Sequence, residues 1–161
     1  MRVLVALVAA ATTMLSGDID RATAMISVAT GAHAGDFLVR NADTPCAIVE
    51  QKAPRPKHQF EVTIGGPGPK IDPKKLTVLT VIVPNADVRG PIHTFFMSIN
   101  FGDIIRGTHY ITETRVGETP GGSGAVTIVS RGEDATVTFD VTSADGISYK
   151  GAIQCIGVSH D

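Results

Sequence analysis

Apolar and polar residues alternate through the last part of the chain with the two-residue period of β-strands. From Asp134 to Thr142, every odd-numbered position is apolar and every even-numbered position is polar. The same parity continues from Ile147 to Cys155. Because the side chains of a strand point alternately to opposite faces, each segment presents one face to a core. The pattern predicts three consecutive antiparallel strands, at about 124–131, 134–143 and 147–158.

The link between the second and third of these strands sets their register. A two-residue turn at Asp145-Gly146 would put the two apolar faces on opposite sides of the sheet, as a one-residue slip does. A three-residue loop over 144–146, with Gly146 in the left-handed conformation, keeps the two faces together. This loop is therefore predicted, and it places Phe139 opposite Gly151.

The link between the first and second strands is predicted as a two-residue turn at Gly132-Glu133. Gly at the first central position suits such a tight hairpin turn. The turn pairs Ile128 with Val137, so one apolar face continues over all three strands. Cys155 lies on that face.

Strand patterns also occupy the middle of the chain, and no sustained helical spacing follows the first two dozen residues. Apolar residues alternate with polar ones from Phe60 to Ile64 and recur at every second position from Phe95 to Phe101. Leu76–Val83 is apolar at both parities apart from threonines, which predicts a central strand covered on both faces. With 17 Gly and 9 Pro in 161 residues, the chain is predicted to be all-β, a single antiparallel β-sandwich.

The N-terminus has the form of an export signal. Met1-Arg2 gives a positive start, and the apolar run Val3–Met14 is shorter than the roughly 20 residues of a transmembrane helix. Small-residue patterns predict cleavage after Ala24 or after Ala34. The alternative is a disordered or helical extension that stays in the cytoplasm. The predicted organisation is a signal peptide, 1–34, followed by one β-sandwich domain, 35–161.

The two cysteines of the chain predict one disulfide, Cys46 to Cys155, because disulfides persist in exported proteins. This disulfide would close a loop that spans most of the chain, and the chain-entropy model gives such a loop roughly 4 to 5 kcal/mol of stabilisation. The alternative is a pair of buried free thiols. A metal site built on the two cysteines is not predicted, because no further Cys or His stands at a ligand-like spacing from either.

Charge and composition exclude one class of partner. The formal net charge is -2, whereas nucleic-acid binding requires a strongly basic face. No nucleic-acid partner and no transmembrane span are therefore predicted.

Two loops are candidates for binding. The segment from Lys52 to His58 carries only basic charges, on Lys52, Arg55, Lys57 and His58, and its prolines favour an extended, exposed conformation. It is predicted to face an anion or a partner, and the alternative is a solvated connection. The second candidate is the glycine-rich loop from Gly117 to Gly124.

A weak metal-site candidate lies on the predicted hairpin that joins 94–101 to 108–112. It consists of His93, Asp103 and His109, with Glu113 as a fourth group. Two imidazoles and two carboxylates suit zinc or copper, although their spacing matches no known ligand motif. The alternative is ordinary surface or capping residues, and no cofactor is predicted.

Several short features resemble the mycobacterial lipoprotein antigen family. They are Ile64-Gly65-Gly66 at the end of a strand, the glycine-rich entry to a strand over Gly121–Thr127, and a last strand that ends in Cys155. The resemblance implies an envelope-exposed β-sandwich with one disulfide and no established catalysis. In this chain Leu15-Ser16-Gly17 is followed by Asp18 instead of the cysteine that the family acylates, so a lipid anchor is not expected.

These observations predict an exported, non-enzymatic protein, secreted or periplasmic, that binds a protein, a glycan or another envelope ligand through loops. Loops on a rigid sandwich commonly carry such a function. Two alternatives stay open at the level of the sequence. One is a small metal-dependent enzyme that uses His93, Asp103 and His109, and the other is a secreted inhibitor.

Overall fold

A computed structural model describes residues 20–41, 43, 46–52, 57–65, 72–114 and 121–161 of the chain. Within these ranges every regular element is a β-strand. The strands are β1 (Ala22–Val28), β2 (Gly35–Asn41), β3 (Ala47–Gln51), β4 (Lys57–Gly65), β5 (Leu76–Val83), β6 (Phe95–Phe101), β7 (Thr108–Thr114), β8 (Gly122–Arg131), β9 (Asp134–Ser143), β10 (Ser148–Cys155) and β11 (Ser159–His160).

The strands form two sheets that pack face to face. One is a 5-stranded sheet in the order β2-β1-β10-β9-β8, and the other is a 6-stranded sheet in the order β11-β3-β4-β5-β6-β7. Neighbouring strands are antiparallel, except that β11 runs parallel to β3. The predicted all-β sandwich is confirmed, with one short parallel pair that the alternation did not indicate.

The C-terminal meander has the predicted register. Phe139 pairs with Gly151 across β9 and β10, and Ile128 pairs with Val137 across β8 and β9. Gly146 has φ of 79°, as the three-residue loop requires. The tight turn after β8 is confirmed as well, since Arg131 and Asp134 are paired and Gly132 has φ of 64°.

The third strand of the meander ends earlier than predicted. It stops at Cys155, and the chain then turns at Gly157, where φ is 65°. After this turn the chain crosses to the other sheet as β11. The predicted extension of the third strand to Val158 is therefore wrong, because the left-handed glycine redirects the chain.

The sandwich includes a strand that precedes the predicted domain start at Gly35. β1 lies between β2 and β10 in the middle of the 5-stranded sheet, and its alternate residues Ala22, Ala24, Ile26 and Val28 are buried. Cleavage after Ala24 would cut this strand, and cleavage after Ala34 would remove it. The predicted signal core Val3–Met14 lies outside the described residues.

The disulfide between Cys46 and Cys155 is confirmed. Cys46 directly precedes β3 of the 6-stranded sheet, and Cys155 ends β10 of the 5-stranded sheet, so the bond joins the two layers. Their Cα atoms lie 5.8 Å apart, and both residues are buried in the core between the sheets. Within the described ranges, no helix is long and apolar enough to cross a membrane.

β5 is central in its sheet, but its predicted cover on both faces is wrong. Leu79, Val81 and Val83 are buried in the core, whereas the outward side chains of Val78 and Ile82 are only half-buried. A register shift between Leu76 and Val78 turns Leu76 inward despite its parity. The doubly apolar sequence therefore reflects one buried face, one partly exposed face and a bulge.

Candidate functional site

The basic loop forms the connection between β3 and β4. Lys52 and Lys57 are exposed, whereas Arg55 lies outside the described residues. His58 belongs to β4, and its Nδ1 lies 2.7 Å from Oδ1 of Asp87. The backbone N–H of His58 donates a second hydrogen bond to Oδ2 of Asp87, at 3.2 Å.

These contacts place the carboxylate of Asp87 beside the basic segment. The hydrogen bond from the His58 side chain, together with its backbone hydrogen bond, holds the pKa of Asp87 below its ordinary value. A carboxylate therefore lies beside the imidazole of His58. Of the predicted binding residues in the described part of the chain, Lys52 and Lys57 are exposed. His58 connects β4 to the loop after β5 through its hydrogen bonds with Asp87.

The predicted hairpin of the metal-site candidate exists, but it does not bring its two histidines together. Phe95 pairs with Thr114 at the end of the β6–β7 hairpin near His93, whereas His109 pairs with Asn100 near the other end. Five residues of strand separate the two ends, which is about 17 Å at the rise of a β-strand. One metal ion cannot contact both imidazoles.

The other members of that candidate have local partners. Oδ1 of Asp103 accepts hydrogen bonds from the backbone N–H groups of Ile105 and Arg106, each at 2.8 Å, and these bonds lower the pKa of Asp103. Nδ1 of His93 lies 2.9 Å from the carbonyl oxygen of Gly124. Among the described residues, no group of three or more His, Cys, Asp or Glu side chains could hold a metal ion.

A histidine within the predicted cleavage signal has a structural position that the sequence did not indicate. Nε2 of His33 donates to the carbonyl oxygen of Pro73 at 3.1 Å, and Nδ1 lies 2.9 Å from the hydroxyl of Tyr110. Its ring stacks on Phe101 at a centroid distance of 4.2 Å. The loop between β1 and β2 is thereby attached to the 6-stranded sheet, which gives this histidine a packing role.

The outer face of the 5-stranded sheet carries an exposed apolar surface. Leu38 of β2, Met25 of β1 and Ala152 of β10 lie side by side in register, and we call these three residues the apolar row. Met25 is 62% exposed and Leu38 is 54% exposed. A hollow of about 800 Å³ lies over this row and is lined mainly by apolar atoms.

Charged and polar residues flank the apolar row. The next outward-facing row contains Asp36, Ser27, Lys150 and Asp140 in register across four strands. Lys150 lies directly opposite Asp140, so the row brings both signs of charge to the rim of the hollow. An apolar centre with a polar rim is the typical composition of a protein-binding surface.

The apolar row ends at an open sheet edge. β2 is the terminal strand of the 5-stranded sheet, and no described strand pairs with its far side over its 7 residues. A groove of about 660 Å³ runs along β2 on the side of the other sheet. Its lining residues are Leu38, Val39, Arg40, Asn41, Asp43, Gly65, Lys75, Leu76 and Thr77.

The other sheet edges are short or are bridged at a single position. Ile92 covers the edge of β8 through two hydrogen bonds with Val126, of 2.7 and 2.9 Å. Gly121 covers the edge of β7 through a bridge to Glu113, and β11 is only 2 residues long. Short or covered edges prevent unwanted strand pairing, and no described strand or isolated bridge covers the free edge of β2.

Sequence reasoning missed this surface, although a signal for it was present. Phe37, Leu38 and Val39 are consecutive apolar residues, so Leu38 interrupts the alternation of its strand. Met25 stands between the buried residues Ala24 and Ile26 in the same manner. In a strand that buries only one of its faces, such interruptions mark apolar side chains on the outer face.

The chain was compared with known proteins. No protein-family model, no curated protein and no solved structure matches the chain. The resemblance to the mycobacterial lipoprotein antigens stays a prediction from the sequence, and the candidate site rests on its own geometry.

Proposed function

We propose that this protein is an exported, non-enzymatic binding protein whose interaction surface is the β2 edge together with the apolar row. The single observation that carries the proposal is the position of two large, more than half-exposed apolar side chains, Met25 and Leu38, side by side at an open strand edge. This assignment differs from the loops that the sequence favoured, and His58 of the basic segment lies in β4 and is engaged with Asp87.

Removal of this apolar surface from water would favour the binding of a partner. Apolar surface that leaves water contributes roughly 25 cal/mol per Å² to association. Open edge strands add main-chain hydrogen bonds when an extended segment pairs with them, and side-chain pockets beside the edge supply selectivity. β2 has a hollow on its outer side and a groove on its inner side, so a strand added to it would contact both.

Export is supported by the disulfide and by the N-terminal pattern. Disulfides such as Cys46–Cys155 persist in oxidising compartments, and Met1-Arg2 followed by Val3–Met14 has the form of a signal peptide. The proposed location is the periplasm or the extracellular space. No lipid anchor is proposed, since Asp18 occupies the position where a lipidated protein would need a cysteine.

Site-specific photo-crosslinking in cells tests the surface. A photoreactive amino acid at Met25 should give a discrete adduct in the extracytoplasmic fraction. The matched control is the same probe at Thr63, an exposed outward position on β4 of the other sheet. Adducts from Met25 and none from Thr63 would support the proposed surface, whereas absence of an adduct from Met25, or equal adducts from both, would overturn it.

A further inference from the structure

We propose that the occupant of the β2 edge is a second copy of this chain. In this arrangement two β2 strands pair antiparallel across a two-fold axis, and the two 5-stranded sheets become one continuous sheet of ten strands. The inference rests on the proposed binding surface and names the partner that fits it.

The charged side chains of β2 are complementary to those of a second β2 strand. Asp36, Leu38 and Arg40 alternate along β2 and point to the same outer face. When two β2 strands pair antiparallel about Leu38, Asp36 of each copy lies directly opposite Arg40 of the other copy. The pairing therefore forms two symmetric ion pairs, and opposite charges directly across a strand pair are favourable.

The same charges fix the register. A shift of two residues in either direction would place Leu38 opposite Asp36 or opposite Arg40 and would lose both ion pairs. A shift of one residue would turn the apolar row of one copy to the opposite face. The sequence of β2 is thus self-complementary in one antiparallel register, which is a requirement of a two-fold interface.

The apolar rows of the two copies would form one continuous surface. In this register Leu38 meets its own copy on the two-fold axis, and the apolar row of one chain joins the apolar row of the other. The exposed side chains of Met25 and Leu38 become the centre of the joined row. On the inner face Phe37 lies opposite Val39 of the second copy. Gly35 lies opposite Asn41 of the second copy and leaves room for its side chain.

Arg40 retains the capacity for this contact. Its Nη1 lies 3.5 Å from Oδ2 of Asp20 in the same chain, and its side chain is largely exposed. A guanidinium carries five N–H donors in a planar fork, so the single carboxylate of Asp20 does not occupy all of them. A second carboxylate, from Asp36 of the other copy, can bind the remaining donors.

Sedimentation equilibrium of the exported protein, purified without reductant, tests the inference. The wild type should show a concentration-dependent mass that approaches twice that of the monomer. Asp36→Arg and Arg40→Asp should each weaken the dimer by about tenfold or more, since each places like charges opposite each other at two symmetric positions. The double variant Asp36→Arg/Arg40→Asp exchanges the charges and should restore most of the affinity.

Two further variants complete the experiment. Leu38→Lys places two ammonium groups on the two-fold axis and should leave a folded monomer, with folding checked by circular dichroism. Thr63→Lys, on the outer face of the other sheet, should leave the mass unchanged. A monomeric wild type, or single reversals that the double variant does not rescue, would overturn the inference. If the Met25 crosslink joins a protein of different mass, the binding surface stands and the second copy is rejected.

Discussion

Phe139 of β9 lies directly opposite Gly151 of β10, and its ring covers the space that a side chain at position 151 would need. A Cβ atom built on Gly151 would lie 2.7 Å from Cζ of Phe139 and would also meet the backbone oxygen of Met25. The glycine is required by close packing against a ring on one side and a neighbouring strand on the other. A backbone atom of β1 cannot move away as a flexible side chain could.

Gly151→Ala should therefore destabilise the protein by about 1–3 kcal/mol, the usual cost of overpacking a core. Equilibrium unfolding in urea, followed by circular dichroism without reductant, measures this loss. Gly121→Ala is the matched control, because its new Cβ would lie 3.7 Å and 3.8 Å from its nearest neighbours. The control should change stability by less than about 0.5 kcal/mol. Equal losses in the two variants would contradict the packing explanation.

The meander that contains this pair was predictable because its information is local. Turn length and alternation together determine the register of strands that follow one another in the chain, as between β9 and β10. The position of β1 was not predictable in the same way. Ala22 pairs with Cys155, at the far end of the chain, and no local pattern specifies which strand will lie beside it.

The candidate site was predictable only in part, for a related reason. The basic charges of the Lys52–His58 segment are visible in the sequence, but Asp87 reaches His58 from another loop. The apolar row needs three strands to meet in one register, and only then do Met25 and Leu38 become neighbours. A surface of this kind is a property of the sheet order, which the sequence does not display.

Reduction of the Cys46–Cys155 disulfide should lower stability strongly. The bond closes a loop with a sequence separation of 109 residues, for which the chain-entropy model gives roughly 4 to 5 kcal/mol. The measurement is the melting temperature with and without reductant, accompanied by the intact mass. Cys46→Ala/Cys155→Ala should match the reduced wild type and should not respond to reductant. A melting temperature that reductant leaves unchanged in the wild type would contradict the expectation.

Tyr149 should make the fold sensitive to alkaline pH. Burial raises the pKa of Tyr149 to about 12, and the 3.0 Å hydrogen bond between the hydroxyls of Tyr149 and Thr112 opposes this only in part. An unfolded tyrosine ionises near pH 10, so between about pH 10 and 12 the unfolded chain loses a proton that the folded chain keeps. The free energy of unfolding should fall across that interval.

Variants separate this titration from the hydrogen bond itself. Tyr149→Phe should unfold more easily than the wild type at neutral pH by about 1–3 kcal/mol, because the hydroxyl of Thr112 stays buried without this partner. Its further loss of stability between about pH 10 and 12 should be smaller than that of the wild type. Tyr149→Phe/Thr112→Val should recover part of the neutral-pH loss, since both polar groups are removed together. Parallel pH profiles for wild type and Tyr149→Phe would show that another group causes the alkaline loss.

β1 should be required for the native fold. A chain that starts at Gly35 lacks the strand that connects β2 to β10, together with the buried side chains of Ala22, Ala24, Ile26 and Val28. It should fail to form the native fold, because β2 loses its described neighbour and β10 gains an open edge. A chain that starts at Asp20 should fold, with the Cys46–Cys155 disulfide formed. Thermal unfolding and intact mass of the two chains measure the difference, and Edman sequencing of the exported protein should find an N-terminus before Ala22. A cooperative transition with a native disulfide in the 35–161 chain would show that β1 is dispensable.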